Sequence, residues 1–144
     1  LHALKSDLET TAALRRAHLR PRPRLDLVGT SDFAIACTSL IDVSDGLSSE
    51  LDHLANASNV GFAIDAAKIP LHADAIELVG YERAFAWALA GGEDYELLAT
   101  FLPSAALPSG FSVIGVVTSE GLTLVQPDGS RIPIVPRGYE HFTT

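Results

Sequence analysis

Two aspartates and a serine fall within the run Ile41-Asp42-Val43-Ser44-Asp45-Gly46-Leu47. The run closes an apolar, β-branched stretch from Ile35 to Val43 that reads as a buried strand, and it opens an amphipathic stretch that reads as a helix. Side chains alternate along a strand, so Asp42 and Ser44 share a side. Asp45 falls where the helix begins, and Gly46 allows the backbone to turn tightly. Carboxylates and a hydroxyl gathered at one edge suit a hard divalent cation. Mg²⁺ takes one or two carboxylates and completes its octahedron with phosphate and water oxygens. A bare helix N-terminus would take phosphate directly. Here the carboxylates repel phosphate unless a cation stands between. The same residues also fit a plainer account, with Asp45 as an ordinary N-cap and Asp42 as a strand-end residue facing water.

A second group is Ala90-Gly91-Gly92-Glu93-Asp94-Tyr95-Glu96-Leu97, on a connection between a helix and a strand. It is either a glycine cap with solvated acids beside it, or a carboxylate placed to receive a cationic or hydrogen-bonding part of a substrate. A third is the aromatic tail around Tyr139, a packing anchor or a platform for a ligand. His2, His18, His53, His72 and His141 have no second His or Cys at zinc spacing. The single cysteine, Cys37, excludes an internal disulfide and a multi-cysteine zinc site, and reads as a small buried hydrophobe. No Gly-x-Ser-x-Gly elbow, Walker-type loop or Gly-x-Gly-x-x-Gly is present, so a P-loop kinase is unsupported and no side-chain nucleophile is visible.

The elements that must position these groups follow from periodicity and punctuation. A first helix, capped by Ser6 and Asp7, is expected to run to about His18 and to stop at Pro21 and Pro23. After the strand at 35–43 comes a helix with Leu47, Leu51, Leu54 and Ala55 on one face. Ser48, Ser49, Glu50, Asp52 and His53 lie opposite, and Ser58-Asn59 ends it. Gly61 to Asp65 reads as a strand, and Pro70 and Asp74 open a short helix. Tyr81 to Ala90 reads as a helix ended by a left-handed Gly91-Gly92. Tyr95–Phe101 and Phe111–Thr118 read as strands, and Leu122–Val125 and Ile132–Val135 as a hairpin around Pro127-Asp128-Gly129-Ser130. Residues 1–144 are expected to form one α+β domain, with helices layered on a mixed, largely antiparallel sheet.

Composition narrows the partners. The chain of 144 residues is 47% hydrophobic and 19% charged, which is globular. Its net charge is −8, yet Arg15, Arg16, Arg20, Arg22 and Arg24 supply five of its ten cations. The rest of the surface is strongly acidic, which argues against general nucleic-acid binding. The arginine stretch is either a solvated helix end or a surface for an acidic neighbour or phosphate. No stretch has the length of a membrane span and no signal peptide is visible, so a cytoplasmic setting is expected. The first residue is Leu1, and a piece of a longer chain is expected.

Four blocks occur in order: His18-Leu19-Arg20-Pro21-Arg22-Pro23-Arg24-Leu25, Ile41 to Leu47, Gly91 to Leu97, and Gly138-Tyr139-Glu140-His141-Phe142. Together they resemble the C-terminal half of bacterial thiamine-monophosphate kinases, relatives of aminoimidazole-ribonucleotide synthetase and selenophosphate synthetase. The resemblance implies an α/β layered domain that closes over a site held mostly by an N-terminal half, in a homodimer. It implies transfer of the γ-phosphoryl of ATP to thiamine monophosphate. Position by position, Asp42 and Asp45 look like Mg²⁺ ligands, Ser44 like an ATP contact, and Glu93 and Tyr139 like thiamine-phosphate contacts. No catalytic side chain is implied. Ala90 departs from the serine expected before the glycine pair. A sister ATP enzyme or a non-catalytic binding module is the alternative, and the Gly-Gly-Glu-Asp-Tyr block argues against the sister enzyme.

Overall fold

Residues 8–137 are described by the structure, a computed structural model. The expected cap at Ser6 and Asp7 and the tail residue Tyr139 lie outside the described residues. The helices are α1 (Ala12–Leu19), α2 (Leu25–Val28), α3 (Ser31–Ala36), α4 (Leu47–Ser58), α5 (Ala73–Val79) and α6 (Tyr81–Ala90), with a 3₁₀ turn at Ala66–Lys68. The strands are β1 (Cys37–Asp42), β2 (Gly61–Asp65), β3 (Leu97–Phe101), β4 (Gly115–Thr118), β5 (Leu122–Val125) and β6 (Arg131–Pro133).

Local chemistry sets most of the boundaries. Thr11 caps α1 by accepting from the Leu14 amide, and the prolines beyond Leu19 end it. Thr30 likewise caps α3 by accepting from the Phe33 amide. This helix takes the first part of the expected strand at 35–43. Ile35 is 74% exposed on it, and β1 begins only at Cys37, which is half-buried rather than buried. Asn59 ends α4 in the left-handed conformation, as its type allows. The strand expected from Tyr95 starts at Leu97, because Tyr95 itself is left-handed with φ 51°. The strand expected from Phe111 shortens to Gly115–Thr118, and β6 is Arg131–Pro133.

The strands form two sheets rather than one. β1 pairs antiparallel with β3, with Asp42 opposite Leu97. The other sheet has the order β4-β2-β5-β6. In it β2 runs antiparallel to β4 and parallel to β5, and β5 and β6 form the expected hairpin. The class is therefore helices on mixed, largely antiparallel sheets.

The core gathers Leu47, Leu51 and Leu54 from α4, Phe62 and Ile64 from β2, and Leu124 from β5. Leu51 is fully buried. Burying a leucine contributes about 1.5–3 kcal/mol, so this seam fixes the angle at which α4 leaves β1. Phe33, Phe101 and Phe111 make a second, aromatic cluster, with ring centroids 5.1 Å apart for Phe101 and Phe111. That cluster fastens α3 to β3, the strand that pairs with β1.

Candidate active site

The carboxylates sit where β1 runs out into α4. Gly46 is the N-cap of α4, at φ 107°, and no side chain caps it. A Cβ at Gly46 would stand 3.1 Å from the Ala90 backbone, so glycine is required for both conformation and approach. Asp45 is thus not the N-cap, and the plainer account of it fails. Asp42 is exposed, as that account held, while Ser44 and Asp45 are half-buried.

This turn is sewn to the loop after α6. The Val43 amide donates to the Glu96 carbonyl at 2.8 Å, and the Tyr95 amide to the Val43 carbonyl at 2.9 Å. The Glu93 amide donates to the Ser44 carbonyl at 2.6 Å. Such pairing needs unusual backbone. Gly92, Glu93 and Tyr95 are all left-handed, with φ 65°, 60° and 51°. The left-handed glycine is Gly92 and not Gly91, whose φ is −75°. A Cβ on Gly92 would meet the Ser44 carbonyl oxygen at 2.8 Å. Strain of this kind persists only where surrounding contacts impose it. The loops carrying Asp42, Ser44, Asp45 and Glu93 therefore adjoin. Tyr139 cannot be placed beside them, but the Arg137 amide donates to Ser48 Oγ, in the first turn of α4, at 3.2 Å.

Charges crowd this junction. His18 Nδ1 lies 3.5 Å from a Glu93 carboxylate oxygen. Arg24 Nη1 donates to Glu96 at 2.6 Å and Nε to Asp26 at 3.4 Å. The acidic neighbour of this one arginine is thus within the chain. Crowding by protein pushes the Asp94 carboxyl up to about 6, helped by the Glu96 charge, although the residue as a whole is exposed. Beside the junction a groove of about 410 Å³ is lined by Pro21, Pro23, Arg24, Asp42, Tyr95 and Leu97, among others.

Glu50 was expected in solvent and is instead 2% exposed, and Ser48 and Ser49 are also buried. Leu51 and Leu54 join Phe62 and Ile64 of β2 in the core, and residues 47–51, the start of α4, are buried on every side. Glu50 Oε1 accepts from the Asp45 amide at 3.0 Å and from Ser44 Oγ at 3.4 Å, and Oε2 lies 2.8 Å from His53 Nδ1. Burial alone would raise this carboxyl. The Asp45 amide and His53 outweigh it and hold the group below the usual carboxylate range. The clue in the sequence was the acid five residues after Asp45 with a histidine three further on.

Among the described residues no group of three or more His, Cys, Asp or Glu side chains could hold a metal. Asp42 and Asp45 can supply only part of a shell. That fits Mg²⁺, which leaves most of its positions to phosphate and water.

No family model matches the chain. The thiamine-monophosphate kinase of Escherichia coli K12 is 39% identical over 150 residues, covering 96% of this chain and 45% of that protein. The Bacillus subtilis enzyme of the same name is 34% identical, over 95% of this chain and 44% of its own length. A solved structure described as AaThiL complexed with AMPPCP and TMP superposes with a TM-score of 0.80 at 33% identity, over 98% of this chain and 46% of that one. The crystal structure of thiamine monophosphate kinase from Aquifex aeolicus gives 0.74 at 31%, over 91% and 46%. The chain spans about half the length of the curated relatives it matches. Matched over nearly all its own length in sequence and fold alike, the chain belongs to the thiamine-monophosphate kinase family.

Proposed function

We propose that this chain is the C-terminal half of a kinase that transfers the γ-phosphoryl group of ATP to thiamine monophosphate, yielding thiamine diphosphate. The observation that carries the reading is the hydrogen-bonded seam between the Asp42–Gly46 turn and the Gly92–Glu96 loop. It sits in a fold matched to a relative described as complexed with AMPPCP and TMP. An N-terminal half would supply most of the nucleotide and metal contacts, in a cytoplasmic homodimer.

Donor and acceptor are both phosphates, so positioning and charge do most of the work and the protein forms no covalent intermediate. When bound, Mg²⁺ neutralises the polyphosphate and aligns donor with acceptor. Asp42 and Asp45 would hold it from this side of the site. Ser44 meets ATP through its hydroxyl oxygen, the proton being donated to Glu50. Glu93 sets a carboxylate against the positive charge of the thiamine heterocycle, and Tyr139 offers an aromatic face to the same cation.

Full-length protein bearing this sequence is expected to make thiamine diphosphate from ATP, Mg²⁺ and thiamine monophosphate, and the 144-residue chain alone is not. Glu93→Gln is expected to raise KM for thiamine monophosphate by roughly tenfold, the cost of a lost charged contact, with KM for ATP little changed. Preferential turnover of another phosphate acceptor would overturn the reading.

A further inference from the structure

Glu50 is the one buried ionisable side chain among the described residues. Such a carboxylate persists only when its oxygens are satisfied, and here both are. Where its bonds go is informative. They do not reach the amides of the first turn of α4, which an ordinary cap would serve. They reach backward past Gly46, to the amide of Asp45 and the hydroxyl of Ser44. Its other oxygen is fixed by His53 on the next turn of the same helix. The carboxylate is therefore tied at one end to a rigid element and at the other to the turn. We infer that Glu50 is a positioning residue, holding Ser44 and Asp45 in the orientation in which they meet the cation and the nucleotide.

The inference rests on the proposed function for what Ser44 and Asp45 bind, but its geometric part stands without it. Asp45 precedes the helix, and its amide finds Glu50 as acceptor. Remove that acceptor and the rigid Ser44–Asp45 peptide keeps one hold, the Glu93 amide on its carbonyl, and loses the one on its N–H, so the Asp45 end of the turn is less firmly set. The Ser44 hydroxyl also loses the partner that sets its rotor. The expected defect is thus loss of orientation in two residues, with the seam and the helix retained.

The test compares wild type, Glu50→Ala and Glu50→Gln in the full-length protein. Gln keeps the shape and one acceptor oxygen, so it guards against a variant that simply fails to fold. The first readout is amide hydrogen exchange resolved over residues 43–46 and 51–55. The second is the Mg²⁺ and ATP half-saturation of phosphoryl transfer, set against KM for thiamine monophosphate. In Glu50→Ala, exchange at Asp45 should speed up while residues 51–55 keep their protection. The Mg²⁺ and ATP half-saturation should rise by about tenfold or more, as for lost outer-shell partners of metal ligands, and KM for thiamine monophosphate should stay within about twofold. Glu50→Gln should recover most of both effects. Unchanged exchange at Asp45, or equal loss of protection along all of α4, overturns the inference. If wild type transfers no phosphoryl group yet Asp45 exchange still depends on Glu50, the kinase reading falls and the positioning of the turn stands.

Discussion

Replacing Gly92 by alanine tests the seam between the two loops directly. Gly92 sits at φ 65°, and a left-handed backbone costs an L-residue about 1–2 kcal/mol. The new methyl would also lie 2.8 Å from the Ser44 carbonyl oxygen and 3.3 Å from the Asp45 carbonyl carbon. Neither is the end of a flexible side chain, and the Ser44 carbonyl is held by the Glu93 amide. Relief must come from backbone movement, an overpacking cost of about 1–3 kcal/mol. The stiffer unfolded chain returns about 0.4–1 kcal/mol. The net loss is about 1–4.5 kcal/mol, centred near 3, or roughly 10 °C in Tm for a domain of this size. Gly129→Ala is the control, because Gly129 has φ 83° but nothing within 4 Å of its Cβ. It bears the conformational cost alone, about 1 kcal/mol after the same correction. Urea and thermal unfolding followed by circular dichroism measure both. If Gly92→Ala costs no more than Gly129→Ala, the loops do not touch as described.

Three further outcomes are expected. Leu51→Ala, at a fully buried position under the sheet, should cost about 2–5 kcal/mol and lower the urea midpoint without changing the slope. Arg24→Ala breaks partly exposed ion pairs with Glu96 and Asp26, and should cost less than about 1 kcal/mol, less still at high salt. For Asp94 the folded pKa of about 6 lies above its ordinary 3.8, so the fold favours the protonated form. That contribution is fully present below pH 3.8 and is lost as pH rises through 6. The stability of Asp94→Asn relative to wild type should therefore rise between those limits and level off above. Because the residue is exposed, the rise should be under about 1 kcal/mol. A flat difference across the interval would discount the crowding of this carboxyl.

The sequence revealed best what depends on local chemistry. α6 and β2 match their expected bounds, because alanine-rich periodicity, alternation and flanking glycines or asparagine all agreed. The strand-to-helix turn at Asp42–Gly46 was readable from its residues alone. α3 was not, since six residues are too few to show helical period against an apolar background. The loop after α6 misled for another reason. Tyr95 and Glu93 adopt a conformation their types disfavour, and only contact with the neighbouring turn imposes it. Glu50 was missed because a two-faced helix implies one wet face, whereas the start of α4, residues 47–51, is buried on every side and only later positions such as His53 and Asn56 are exposed. Its partners, Ser44 and Asp45, lie outside the helical pattern that was being read. The division of the strands into two sheets depends on pairing across long stretches of chain, which no local motif encodes.

The left-handed backbone at Glu93 bears on any attempt to stabilise the protein. Glycine there would relieve a conformation that disfavours glutamate by about 1–2 kcal/mol, less the roughly 0.5–1 kcal/mol of entropy that glycine forfeits on folding. Selection for heat resistance alone would then tend to replace this glutamate and discard the carboxylate proposed to face the thiamine ring. A hardened Glu93→Gly variant would hold its acceptor about tenfold more weakly, so engineering for durability should hold this position fixed.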